Sequence, residues 1–274
     1  MSDFSVSMAV YIKDDPEHFD IALDSIFNQT IKPSEVILVV DGPVTDEINE
    51  VINKYEKKYT ILKVIRLEEN KGHGEARRIG LENCTNELVA LMDSDDLSLS
   101  DRFEKQLEVF ERDNKVSVVG GNIAEFNDEV NNIVGIREVP AKDEDIKKYM
   151  KSRCPFNQVT VMFKKSQVME AGGYIDWYCE EDYYLWLRMY LNGVKFYNLQ
   201  DILVKVRVGK DMYKRRGGIK YFKSEKKLQK YMLRNKIINY PKYLYNVMIR
   251  FVLQILMPNS IRGFLFKRFA RKRG

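Results

Sequence analysis

Histidine and cysteine are scarce in this 274-residue chain, with His18 and His73 the only two of the first and Cys84, Cys154 and Cys179 the only three of the second. Chemistry that needs a histidine base or a His-rich metal site therefore has little material. Three cysteines this far apart fit neither a disulfide framework nor a zinc cluster and read as reduced thiols. No apolar run is long enough to span a bilayer: the stretch YLYNVMIRFVLQILMP, residues 243–258, is short and broken by Arg250 and Gln254. The opening MSDFSVSMAV carries an acid at position 3 and no basic region ahead of a long apolar stretch. No signal peptide is expected, and the chain is expected in the cytosol. Internal repeats and low-complexity tracts are absent as well.

What is present is a globular composition with a lopsided charge. Hydrophobic residues make up 45% of the chain, enough for the core of one large domain with an appendage. Of the 45 Lys and Arg, 13 lie from Lys226 onward, where no Asp or Glu occurs, leaving 32 against 40 acids before it. The chain is an acidic body with a basic tail, and such a tail seeks an anionic surface. After Pro258, Ile261, Phe264, Leu265 and Phe269 recur at helical spacing among six cations, the pattern of a helix lying in a lipid interface. A basic helix packed on the body with its charges in water is the plainer alternative. Nucleic acid is not expected as a partner.

The first 95 residues alternate strand and helix. Strands are expected at 4–12, 34–42, 60–67 and 87–92, with helices from Pro16, from about Thr45 to Lys58 and from about Gly74 to Asn83. This order predicts an α/β fold with a doubly wound, mostly parallel sheet flanked by helices, in which ligands bind beyond the carboxyl ends of the strands. Asp41 closes the second strand and Asp93, Asp95 and Asp96 follow the fourth, so all four acids are expected at one edge. Beyond Phe110, strands at 115–126, 132–139 and 158–165 are expected to pair differently, with a helix near 143–152. Residues 1–210 are expected to form the main domain and 211–274 a helical, basic, membrane-associating region.

Three stretches bear on chemistry. In ELVALMDSDD, carboxylates crowded together raise one another's pKa unless a cation joins them, and a hard divalent ion with open positions for phosphate oxygens resolves the conflict. If the segment is extended, Asp93 and Asp95 point to one side. A capping box of Ser98 and Asp101 ahead of the next helix is the plainer reading and leaves the other acids unexplained. In NKGHGEARRIGL, a glycine-rich turn opens a helix and favours an anion, though an ordinary loop with two solvated arginines fits the local pattern equally. In EEDYYLWLRM, a helix from Glu181 puts Asp182 on one stripe with Leu185, Trp186 and Met189. A carboxylate there serves either as a general base or as a partner of the helix dipole.

Taken together, SVSMAVY, ALDSIFNQT, EVILVVDG, NKGHGEARRIGL, ALMDSDD and EEDYYLWLRM occur in the order and over the span, residues 4–195, that resembles family 2 glycosyltransferases. The resemblance implies the GT-A fold, a nucleotide-diphosphate sugar donor and inversion at the anomeric carbon. It is closest to bacterial enzymes that extend O-antigen, capsule or exopolysaccharide units on lipid diphosphates, some of which transfer galactose. By position, Tyr11, Asp41, Arg77 and Asp93 would bind the nucleotide, and Asp95 with Asp93 would hold Mn²⁺ or Mg²⁺, with Asp96 in support. Asp182 would be the catalytic base and Glu181 its partner, while Trp186 and Glu180 would contact a lipid-linked acceptor. Arg78 and Ser100 stand where many relatives have Asn and Pro. The enzyme would sit peripherally on the inner face of the cell membrane. A sugar nucleotidyltransferase would carry a glycine-rich basic signature after the first strand, where VYIKDDPEHF stands instead. A non-catalytic relative would be expected to have lost Asp95 or Asp182.

Overall fold

The computed structural model describes residues 3–127, 129–209 and 217–257. The tail positions Ile261, Phe264, Leu265 and Phe269 lie outside the described residues. The expected alternation is found: β1 (Phe4–Val10), α1 (Pro16–Phe27), β2 (Glu35–Val40), α2 (Asp46–Lys58), β3 (Leu62–Arg66), α3 (His73–Asn83) and β4 (Leu88–Met92). Local chemistry sets the helix starts. Asp15 caps α1 by accepting from the Glu17 and His18 amides ahead of Pro16, and Thr45 caps α2.

β1 pairs in parallel with β2 on one side and β4 on the other, and β3 adds in parallel to β2. Val10 lies opposite Val40, and Met8 opposite Met92, so the three chains leave the sheet together at one edge. Alternate residues feed two cores. Val36, Leu38 and Val40 of β2 face the core shared with α1 and α2, while Ile37 and Val39 face the one shared with α3.

The second half turns mixed. After the two-residue β5 (Leu97–Ser98) and α4 (Arg102–Arg112) come β6 (Val116–Phe126), β7 (Ile133–Arg137), α5 (Asp143–Met150), β8 (Met162–Lys164), α6 (Lys165–Glu170), α7 (Glu181–Leu191) and β9 (Lys195–Arg207). The sheet order is β3-β2-β1-β4-β8-β6-β9-β5, with β7 on β6. β8 runs antiparallel to both β4 and β6, and β9 runs parallel to β6 along most of its length. β9 has no counterpart in the sequence reading. Asn198, Gln200 and Asp201 interrupt its apolar pattern, and Asn198 is buried because its amide donates to the carbonyls of Pro140 and Pro155.

α8 (Ile219–Arg234) and α9 (Tyr240–Phe251) close the described chain, the latter running into a π-helical turn to Leu256. Leu228, Met232, Ile237 and Ile238 join the core that holds α3 and α7. The helices that follow residue 217 are therefore packed on the body.

Candidate active site

The acids at the sheet edge are held by different means. Asp41 is buried, and its carboxylate accepts from the amides of Lys71 (2.7 Å) and Gly72 (3.0 Å) and from the Asn70 side chain (3.1 Å). It thereby shapes the turn that opens α3. The turn comes so close that a Cβ on Gly42, whose φ is +85°, would lie 2.6 Å from the Asn70 nitrogen, so only glycine fits. Asp41 thus lies under the glycine turn, with both oxygens already bonded to it.

Residues 93–96 form a turn and not an extended segment, so strand alternation does not orient Asp93 and Asp95. Ser94 instead donates to Asp14 across 80 positions of sequence (2.7 Å), and Asp14 also accepts from the Tyr11 amide (3.1 Å). Asp14, which the sequence reading passed over, therefore ties the loop after β1 to the Asp cluster. Asp96 is buried and accepts from the Arg207 amide at the end of β9 (2.8 Å). Burial and the neighbouring Asp95 push its pKa well above the ordinary value. Asp95 is open to solvent, yet surrounding protein, Asp93 and Asp14 together raise it to about 6. The capping box does not form: Ser98 lies in β5, accepts from Gln29, and leaves Asp101 to begin α4 without a side-chain cap.

Arg77 joins the two sides of the site. It lies in the second turn of α3, 8% exposed, and donates through one arm to Asp93 (3.0 Å) and through the other to Asp182 (2.8 Å), with Glu181 4.0 Å away. Arg78, one residue on, points outward and pairs with Glu75 and Glu82 on its own helix. Burial acts to raise the Asp93 pKa, but Arg77, with His73 adding, holds it below the ordinary value. At Asp182 burial wins: with Glu181 and Asp93 adding and Arg77 opposing, its pKa rises to about 7. The helix start alone would keep a carboxylate ionised at neutral pH. The structure makes it a group poised to exchange a proton there, as suits a general base.

The two residues expected to contact the acceptor are both buried. Trp186 is fully buried, with Phe156 and Phe163 within ring contact at 5.1 and 6.4 Å. It offers no face to an acceptor, because the stripe it shares with Leu185 and Met189 is core. Glu180 is buried at the start of α7, near enough to Arg250 to influence it. Tyr11 is exposed at the end of β1. Beneath β4, Arg102 is fully buried and donates to the Leu91 carbonyl (2.8 Å), fixing the strand end that carries the Asp cluster.

The donor set fits a hard divalent cation. Asp95 presents an open carboxylate with no Lys or Arg paired to it among the described residues, beside Asp93 and Asp14, whose charges disfavour its ionisation. No group of three His, Cys, Asp or Glu able to hold a metal occurs among the described residues. An ion here would be completed by ligand oxygens, as is usual for Mg²⁺ on phosphates.

A sheet of this order, flanked by helices and edged with carboxylates, is the GT-A fold of glycosyltransferases. The chain belongs to glycosyl transferase family 2, whose model matches residues 5–171, and it is a glycosyltransferase. It is 40% identical over 269 residues to the Escherichia coli UDP-Gal:alpha-D-GlcNAc-diphosphoundecaprenol beta-1,3-galactosyltransferase, covering 98% of this chain and 97% of that one. It is 36% identical to the amylovoran biosynthesis glycosyltransferase AmsE of Erwinia amylovora, covering 97% and 98%. S. aureus TarS 1-349 in complex with UDP-GlcNAc superposes with a TM-score of 0.68 at 19% identity, covering 91% of this chain and 72% of that one.

Proposed function

We propose that this enzyme moves a hexose, with galactose the first candidate, from a UDP-linked donor to a saccharide carried on a lipid diphosphate. The product would be a repeat unit for O-antigen, capsule or exopolysaccharide. The observation that carries the reading is the Asp93–Arg77–Asp182 chain, which joins the acids of the sheet edge to a carboxyl of raised pKa on α7. The name of the 40%-identical relative supports the choice of donor and acceptor.

In the reaction, Asp182 accepts the proton of the acceptor hydroxyl as that oxygen bonds to the anomeric carbon. The bond from that carbon to the diphosphate breaks on the opposite face, its electron pair leaves with the nucleoside diphosphate, and the configuration inverts. Arg77 orients Asp182 and keeps Asp93 ionised. Asp41 and Gly42 hold the turn at the start of α3, whose free amides favour phosphate. Asp95, with Asp93, would hold Mn²⁺ or Mg²⁺, which when bound offsets charge on the leaving diphosphate. No helix among the described residues is long and apolar enough to cross a membrane. The enzyme meets its acceptor from the cytoplasmic side as a peripheral protein.

A panel of sugar nucleotides offered with a synthetic lipid-diphosphate acceptor tests the reading, with the linkage of the product read by NMR. UDP-galactose giving a β-linked product is the expected outcome. An α-linked product, or no transfer from any sugar nucleotide, would reject it.

A further inference from the structure

α9 is built inside out. At a spacing of four residues, Asn246, Arg250 and Gln254 face the body and are buried. Arg250 pairs with Glu225 and donates to the Ser152 carbonyl (2.8 Å), and the Asn246 amide donates to the Lys151 carbonyl (2.9 Å) and to Gln229 (2.8 Å). The opposite side carries Tyr240, Leu244, Tyr245, Met248, Val252 and Leu256, all exposed, with Met248 and Leu256 62% open. A helix that meets water shows the reverse pattern, and a contiguous apolar face of this kind marks a partner.

The charge beside this face, where Lys242 reaches over the Tyr245 ring, selects the partner. Lys148, Lys151, Lys236 and Lys242 line a groove where the turn from α8 enters α9. From Lys226 to the chain end there is no acid. A second copy docking here would bring two cationic faces together, whereas anionic lipid headgroups complement them. Tyr240 and Tyr245 have the amphipathic rings that settle at headgroup depth. We infer that α9 and the turn to Leu256 form a docking surface for an anionic bilayer, lying in its plane with the apolar side down. The inference deepens the proposed lipid-borne acceptor and rests on that reading for its purpose, while its test is separate.

Co-sedimentation of the full-length protein with vesicles of phosphatidylcholine, with and without phosphatidylglycerol, tests it, and donor hydrolysis is assayed on the same preparations without vesicles. The wild type sediments with the anionic vesicles, and Leu244→Glu/Met248→Glu lowers its partitioning by roughly tenfold or more while hydrolysis is unchanged. Lys236→Gln/Lys242→Gln lowers binding to the anionic vesicles roughly fivefold per lysine and leaves binding to neutral ones alone. Wild-type sedimentation by the double-Glu variant overturns the inference. So does a wild type that ignores vesicles but forms a dimer that the same variant breaks, which assigns the face to a second copy. Vesicle binding without any hydrolysis of UDP-galactose supports the docking surface and counts against the proposed donor alone.

Discussion

The sheet edge and the C-terminal helices handle polarity in opposite ways. Around β1, β2 and β4, apolar residues fill both faces of the sheet and charge collects at the strand ends, where Asp14, Asp93, Asp95 and Asp96 lie close together and Asp93 pairs with Arg77. In α9 the polar residues are inside and the apolar ones outside. Both arrangements place groups in environments that water alone would not favour. The difference between them is informative. On the proposed reading, the edge is completed by an ion and a diphosphate, and the helix by a medium that accepts hydrocarbon.

The comparison can be broken at its strongest point first. Asp182→Asn keeps the shape of the site and the contact with Arg77 but removes the proposed base, so turnover should fall ~10²- to 10⁴-fold with nucleotide binding retained. Steady-state kinetics beside calorimetry would check this. The pH profile of kcat/KM comes next. Because burial raises Asp182 to about 7 and the base acts only when deprotonated, the rate should rise with pH through that value and level off above it. A rate already flat from pH 5 upward would show that Asp182 does not titrate in the reaction.

Two buried arginines sharpen the contrast between the regions. Removing one partner of a buried pair leaves a carboxylate uncompensated, at a loss on the order of 3 kcal/mol. Arg77→Met and Arg250→Met should both show it in urea unfolding, since each arginine is largely buried against carboxylates. Only Arg77→Met should also lower the turnover of the folded fraction. The smallest effect belongs to Asp95→Asn without divalent cations. Relieving like-charge crowding around an exposed carboxyl should raise Tm by roughly 1–3 °C. A lower Tm would show that the Asp95 charge is stabilising as it stands.

Much of the parallel half was legible because its signals are local. Apolar runs closed by Asp-Gly or Asp-Ser-Asp-Asp, and helices opened by Asp15-Pro16 and Thr45, report their own ends. The order of acids along one edge follows from that alternation. What stayed hidden depends on distant partners. Asp14 reads as part of a helix preamble until Ser94 reaches it across 80 residues. β9 escaped because buried Asn198 is satisfied by carbonyls from two loops that no local pattern announces. Trp186 was placed on the inward stripe correctly, but inward there means core and not cleft. Arg77 was read as a nucleotide contact, whereas its link to Asp182 spans 105 positions. The length of the stretch 243–258 and its interruption by Arg250 and Gln254 exclude a membrane span but do not tell which of its sides the body covers.

The central claim is that the edge at Asp95 takes up a nucleoside diphosphate together with a divalent cation. Calorimetric titration of UDP into the wild type and into Asp95→Asn, with and without Mn²⁺, tests it most directly. The account predicts uptake by the wild type that requires Mn²⁺ and is lost in the variant. Equal uptake in the absence of Mn²⁺, or by Asp95→Asn, would contradict it.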